Sequence, residues 1–130
     1  MNKDAVLLLG RIMVAVLFVP AGFGKLMGFD GTASMLGGAG FPMPQLLAAG
    51  AVAVELGVGI AFLVGWKARW AALILGLFSV AAAFMFHHYW TMEGAAVGAN
   101  KINFYKNMAI CGALLFAYVF GPGRYSVDKA

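Results

Sequence analysis

Two ionisable residues stand inside long apolar runs of this sequence, Arg11 within residues 5–23 and Glu55 within residues 46–64. An ionised group in hydrocarbon costs at least ~2.5–3.5 kcal/mol on insertion scales, so each needs a partner or a task. Measured inward from one shared end, Arg11 lies ~9 Å along its run and Glu55 ~13–14 Å along its own. Long side chains can bridge that difference, so an Arg11–Glu55 pair with charge-assisted hydrogen bonds is expected in an intramembrane polar site. Two readings of the pair stay open. It is a structural bolt that sets helix register, or a proton-accepting or ligand-binding carboxylate that the arginine governs.

A second polar set gathers at the opposite ends of the apolar runs: Lys25, His87, His88, Asn103, Lys106 and Asn107. Ser79, Ala83 and His87 share one helical face, as do Asn103, Asn107 and Cys111. Lys25, His87, Lys106 and Asn107 are therefore candidates for an outer mouth that takes a quinone headgroup or another small polar ligand. The plainer reading is interfacial anchoring. Cys111 reads as a small space-filling apolar residue. A single cysteine rules out an intrachain disulfide and a CxxC redox pair. No Cys/His set has zinc spacing, and no metal site is expected. Adjacent His87 and His88 cannot clamp one haem between two helices. No phosphate loop, nucleophile elbow or hydrolase-like carboxylate pair is present, so no catalytic residue can be assigned and enzymatic activity stays open.

The elements that must position these residues follow from composition. The chain has 130 residues, of which 63% are hydrophobic before its 18 glycines are counted, and only 11% are charged. Soluble domains are ~45–50% apolar with glycine included and ~25% charged, so an all-α polytopic membrane protein is expected, its partner the lipid bilayer. The net charge of +4 reflects few acids rather than a basic tract, which excludes nucleic-acid binding. Four transmembrane helices are predicted at about 5–23, 46–64, 68–86 and 102–120, forming one domain over residues 1–130. The 65–67 turn makes the second and third antiparallel neighbours. Within the Gly-rich 24–45 link, Asp30 or Thr32 is expected to cap a short interfacial segment over residues 33–36. On the second helix Ala53, Gly57 and Ala61 form a small-residue stripe for close helix packing, and Gly59 leaves room beside Glu55.

Five basic residues (Lys3, Lys67, Arg69, Arg124, Lys129) flank one side of these spans and three (Lys25, Lys101, Lys106) the other. The positive-inside bias then places both termini in the cytoplasm. Arg11 within the first apolar run argues against reading that run as a cleaved signal peptide. Gly121-Pro122-Gly123 is expected to stop the last helix.

The sequence resembles the DoxX family of small bacterial and archaeal membrane proteins along nearly its whole length, and its bacterial inner-membrane subgroup most. The matching pieces are Arg11 with Phe18-Val19-Pro20-Ala21-Gly22-Phe23-Gly24-Lys25-Leu26, then Gly40-Phe41-Pro42. They continue with Glu55-Leu56-Gly57-Val58-Gly59, Leu63-Val64-Gly65, His87, Lys106-Asn107 and Gly121 through Asp128. The resemblance implies a four-helix inner-membrane protein. The family takes its name from a subunit of an archaeal quinone-reactive oxidase system, and some bacterial relatives are associated with thiol and oxidative-stress enzymes. It therefore implies a small membrane subunit linked to quinone-dependent oxidoreductase or oxidative-stress metabolism, with a redox partner subunit and quinone as the ligand. The alternative is a non-enzymatic membrane component: a small-solute or lipid carrier, or an assembly partner of a soluble redox enzyme. Homo-oligomerisation is compatible with either.

Overall fold

A computed structural model describes residues 2–130. Four helices long and apolar enough to cross a membrane account for most of the chain. The first span is α1 (Lys3–Met27). Asn2 caps it, its Oδ1 accepting the Ala5 N–H at 2.8 Å. The helix runs past Phe23, the expected end, because no residue before Gly28 breaks it and a backbone in lipid keeps its hydrogen bonds internal.

The interfacial segment exists and is longer than predicted, α2 (Phe29–Gly38). Neither Asp30 nor Thr32 caps it. Gly28 forms the junction instead, and the Thr32 hydroxyl donates back to the Gly28 carbonyl at 3.2 Å. The buried Ala33 and Leu36 seat this helix on Ala48, with Phe41 and Phe86 around them.

Pro44 opens the second span at a position where its missing N–H costs nothing. That span is α3 (Pro44–Val52), a π-helical stretch (Ala53–Val58) and α4 (Gly59–Val64). Gly65, at φ 74°, closes it, with the Trp66 N–H donating to the Ala61 carbonyl. The third span is α5 (Ala68–Phe86) and the fourth is α6 (Ala95–Phe120). α6 begins well before the predicted Ile102. At ~39 Å it outruns the ~30 Å hydrocarbon slab, so its polar first turns, with Asn100 and Lys101, stand at the interface.

The second span is central, as expected, packing against α1, α2 and α5. The face that makes the contact is not the expected one. Ala53 is exposed on the outside of the bundle, and the Gly57 position has open space around it. Ala53 and Gly57 do share a face, but it is the outer one, and beyond the wider π-helical turn Ala61 comes round to the core. Ala61 does pack against the core, and Gly59 meets α1, where a Cβ would stand 3.2 Å from Val19 Cγ2. The tightest crossing is at Gly22, where a Cβ would lie 2.5 Å from the Leu56 amide nitrogen and 2.9 Å from Glu55 Cβ.

The third and fourth spans pack along the two predicted stripes. Asn107 Nδ2 donates to the Ser79 carbonyl at 3.0 Å, and Cys111 fills the space beside Gly76. Phe18, Phe62, Ala72, Leu75 and Leu114 bring all four spans into one core. At the end away from the termini, Phe84, Trp90 and Phe104 interlock edge to face at 5.2–5.9 Å. They form an interfacial belt with Tyr89 and Tyr105.

Arg11 is buried, and it does not pair with Glu55. Its guanidinium donates to the carbonyls of Leu63, Pro122 (3.2 Å) and Tyr125. The expectation assumed that the two helices end flush. The Gly22 crossing fixes their register instead, and the interval from residue 11 to residue 22 is ~16 Å of helix rise. Arg11 thus lies level with the end of the second span and anchors the chain after α6. That tail pairs further: Val127 and Asp128 N–H groups donate to the Val64 and Gly65 carbonyls. The Asp128 carboxylate accepts both the Lys67 and Ala68 N–H groups at 2.8 Å, and Asp4 accepts the Arg124 N–H at 3.0 Å. The predicted helix stop is present at Gly121, and the segment beyond it forms a latch across the end of the bundle.

Replacing Arg11 with Met strands three carbonyls, and should lower stability by about 3 kcal/mol or more while loosening residues 122–128 so that trypsin cuts faster after the already exposed Arg124. Thermal unfolding with limited proteolysis reads both. A double-mutant cycle between Arg11 and Glu55 should give a coupling below ~0.5 kcal/mol, because the two share no partner. Gly22→Ala should destabilise markedly, as the opposing atoms are backbone and Cβ, whereas Gly57→Ala should be neutral or slightly stabilising. Parallel melting curves of the two variants distinguish these outcomes.

Candidate functional site

Glu55 is 7% exposed, midway along the π-helical stretch of the second span. Its partner is Lys25, from the last turn of α1, whose ammonium donates to Oε2 at 2.8 Å and to Oε1 at 3.1 Å. The pairing follows from the Gly22 crossing. Lys25 is nearly one turn beyond Gly22 on the same helix, so its four-carbon chain folds back along the face on which Glu55 approaches. π-helical turns occur often at functional sites because the bulge re-aims a side chain. Here the stretch carries the one carboxylate within the second span.

The pair lies on the wall of a cavity of about 650 Å³. This is within the ~300–1,000 Å³ range of small-molecule sites. Its walls come from α1, α2, the second span and α5. Leu46, Leu47, Val54, Phe78 and Met85 supply apolar surface, while Gly50 and Ala51 leave the room. Thr32 and His87 are its other polar lining residues. Ala51, one turn before Glu55, thus opens onto this chamber rather than onto a neighbouring helix.

Of the outer-mouth candidates, Lys25 and His87 line the chamber, and Lys106 and Asn107 do not. Lys106 is exposed on α6, and Asn107 is committed to joining the third and fourth spans. Successive residues on a helix are ~100° apart, so the two cannot both face one mouth. α6 contributes at one remove, through Asn100, whose Oδ1 is 2.9 Å from His87 Nδ1. Reading the sequence missed Asn100 and the place of Thr32 in the site. Asn100 continues the face of Asn103 and Asn107 by one more step, a signal hidden by starting the helix at Ile102. Arg11 lies outside the chamber, at the latch.

Chemically, the chamber offers an apolar volume with one part-buried, internally neutralised ion pair and an imidazole. Among the described residues no group of three or more His, Cys, Asp or Glu side chains is placed to hold a metal ion. A smaller cleft of about 280 Å³ between the first and fourth spans is lined by Met13, Val14, Leu17, Ala109, Ile110 and Ala113, with no polar side chain.

Comparison with known proteins agrees with this architecture. The DoxX family model matches residues 6–88, which include Arg11, Lys25, Glu55 and His87. The chain is 42% identical over 127 residues to the inner membrane protein YphA of Escherichia coli, covering 98% of this chain and 91% of that one. It is 35% identical over 130 residues to the inner membrane protein YqjF of Escherichia coli, covering 98% and 92% respectively. A more distant likeness, 26% over 127 residues, is to the ER-derived vesicles protein ERV29 of Saccharomyces cerevisiae, only 34% of which is covered. No solved structure matches the chain. The family match and the near full-length likeness to two inner-membrane proteins lead to one conclusion: the chain belongs to the DoxX family.

Proposed function

We propose that this integral inner-membrane protein of the DoxX family is a small subunit that binds a quinone in its intramembrane chamber, on behalf of an oxidoreductase partner. The observation that carries the reading is the Lys25–Glu55 pair, a buried carboxylate met by a partly exposed ammonium, in the wall of an apolar cavity of about 650 Å³. An apolar volume with a few convergent polar groups suits a lipid-soluble ring compound, whose tail stays in hydrocarbon while its oxygens find hydrogen bonds. Lys25 has an N–H left to donate to a carbonyl oxygen, and Glu55 is a carboxylate able to hold a proton. The chain supplies binding and proton-holding groups, and electron transfer falls to the partner. With both termini in the cytoplasm, as the charge asymmetry favours, the chamber serves the outer half of the bilayer.

The ion pair tests this reading. Lys25→Met alone should destabilise by about 1–3 kcal/mol, because it leaves a buried carboxylate without its counter-charge, less than for a fully buried pair since the ammonium is partly exposed. The double variant Lys25→Met/Glu55→Leu should recover the fold, since an apolar pair of similar volume often replaces a buried ion pair at no cost. Native mass spectrometry of the gently extracted wild type should show quinone bound, and the refolded double variant should lose it. Undiminished quinone in a stable double variant would make the pair a structural bolt and sink the reading. Movement of a solute by the protein alone in liposomes would make it a carrier instead. A C-terminal reporter active only outside the cell would overturn the orientation.

A further inference from the structure

The hydrogen atoms around the chamber can be assigned from their partners. Asn100 Nδ2 donates to the Ala96 carbonyl at 2.9 Å, which orients the amide and turns its Oδ1 toward His87. An amide oxygen only accepts, so His87 Nδ1 carries the proton and donates across the 2.9 Å contact. In the neutral ring Nε2 is then a bare acceptor. Asn100 does not line the chamber while His87 does, so Nε2 is the ring nitrogen left for a chamber ligand. The Thr32 hydroxyl has likewise given its hydrogen to the Gly28 carbonyl, so toward the chamber it too can only accept. Glu55 accepts from Lys25 on both oxygens and keeps lone pairs on each. Against these acceptors stands one donor, the remaining N–H of Lys25.

We propose that the chamber selects uncharged amphiphiles that carry a hydroxyl group, whose hydrogen bond is accepted by His87 Nε2. This rests on reading the chamber as a ligand site and specifies what the site prefers. An acceptor-rich wall satisfies a ligand O–H and leaves a carbonyl or ether competing for the single Lys25 donor. A charged ligand is disfavoured, because Lys25 and Glu55 already neutralise each other and no counter-charge is left within the apolar walls. Of a quinone couple, the site therefore favours the reduced, dihydroxy form. Asn100 is a positioning residue: it holds the imidazole in the tautomer that leaves Nε2 free.

The test uses the full chain in phosphatidylcholine nanodiscs, with dissociation constants for 4-nonylphenol and its methyl ether, 4-nonylanisole. The phenol should bind roughly tenfold to a hundredfold more tightly, the cost of leaving one polar group unpaired. His87→Phe should close that gap, and Asn100→Ala should narrow it, which keeps the question answerable where His87→Phe unfolds. Nitrogen-15 spectra, with His88→Asn removing the other imidazole, should show the Nδ1–H tautomer in the parent and a mixture once Asn100 is Ala. Equal affinity for phenol and ether, a gap that survives His87→Phe, or an Nε2–H tautomer in the parent would each overturn the proposal. Decylubiquinol and decylubiquinone, measured under anaerobic conditions, separate it from the quinone reading. Discrimination of the phenol pair with neither quinone form bound removes the quinone reading alone. Tight quinone binding without phenol selectivity removes this proposal alone. Binding of none of the four probes removes both.

Discussion

A guanidinium inside a membrane protein has to be answered, and here Arg11 is answered by three backbone carbonyls. One of them, Leu63, is among the carbonyls that the end of the second span leaves without an intrahelical partner. The helix dipole makes that end favourable for a cation. The planar fork of arginine then reaches the Pro122 and Tyr125 carbonyls beyond the last helix as well. One side chain thereby ties the first span, the end of the second and the segment after the fourth. Because Arg11 is satisfied there, it makes no demand on Glu55. The carboxylate is left to Lys25, at the far end of α1 and beside the cavity.

The bundle is consequently asymmetric along its axis. At the terminal end, polar groups are spent on one another: Asp128 on the start of α5, Asp4 on Arg124, and Arg69 on the Tyr118 and Val119 carbonyls. At the other end, α2 and the opening between α1, the second span and α5 leave a chamber whose polar groups still have capacity. The small residues are divided in the same way. Gly22 and Gly59 close the α1 crossing, whereas Gly50 and Ala51 hold space open.

Much of this was legible in the sequence. The four spans follow from the length of the apolar runs, because hydrocarbon thickness dictates helix length. The Ser79 and Asn107 faces, read as leading to an outer mouth, meet each other instead, while Glu55 and His87 were singled out by residue type and place. Partnership was not legible where it depends on register. Arg11 and Glu55 look level when depth is counted from helix ends, but the close approach at Gly22 sets the offset, and one glycine among many does not announce itself. The Ala53–Gly57–Ala61 stripe was misread because the π-helical turn alters the angular period, which parts Ala61 from the other two, and because small residues alone do not tell an outer face from an inner one. Asn100 was lost with the first turns of α6, whose small residues and glycine resemble a loop although the helix simply extends beyond the hydrocarbon.

The Asp128 carboxylate, capping the start of the third span from the far end of the chain, bears on how the protein is made. Biosynthesis delivers residues 122–128 only after all four spans have left the ribosome. Until then the Lys67 and Ala68 amides, the Val64 and Gly65 carbonyls and two sides of the Arg11 guanidinium lack the partners that the tail brings. Insertion of the hairpin formed by the second and third spans therefore precedes closure of its own turn. Quality control that samples nascent membrane proteins meets an incompletely partnered arginine and an open helix start until the segment after the fourth span has emerged. Emergence of residues 122–128 is the event that removes both.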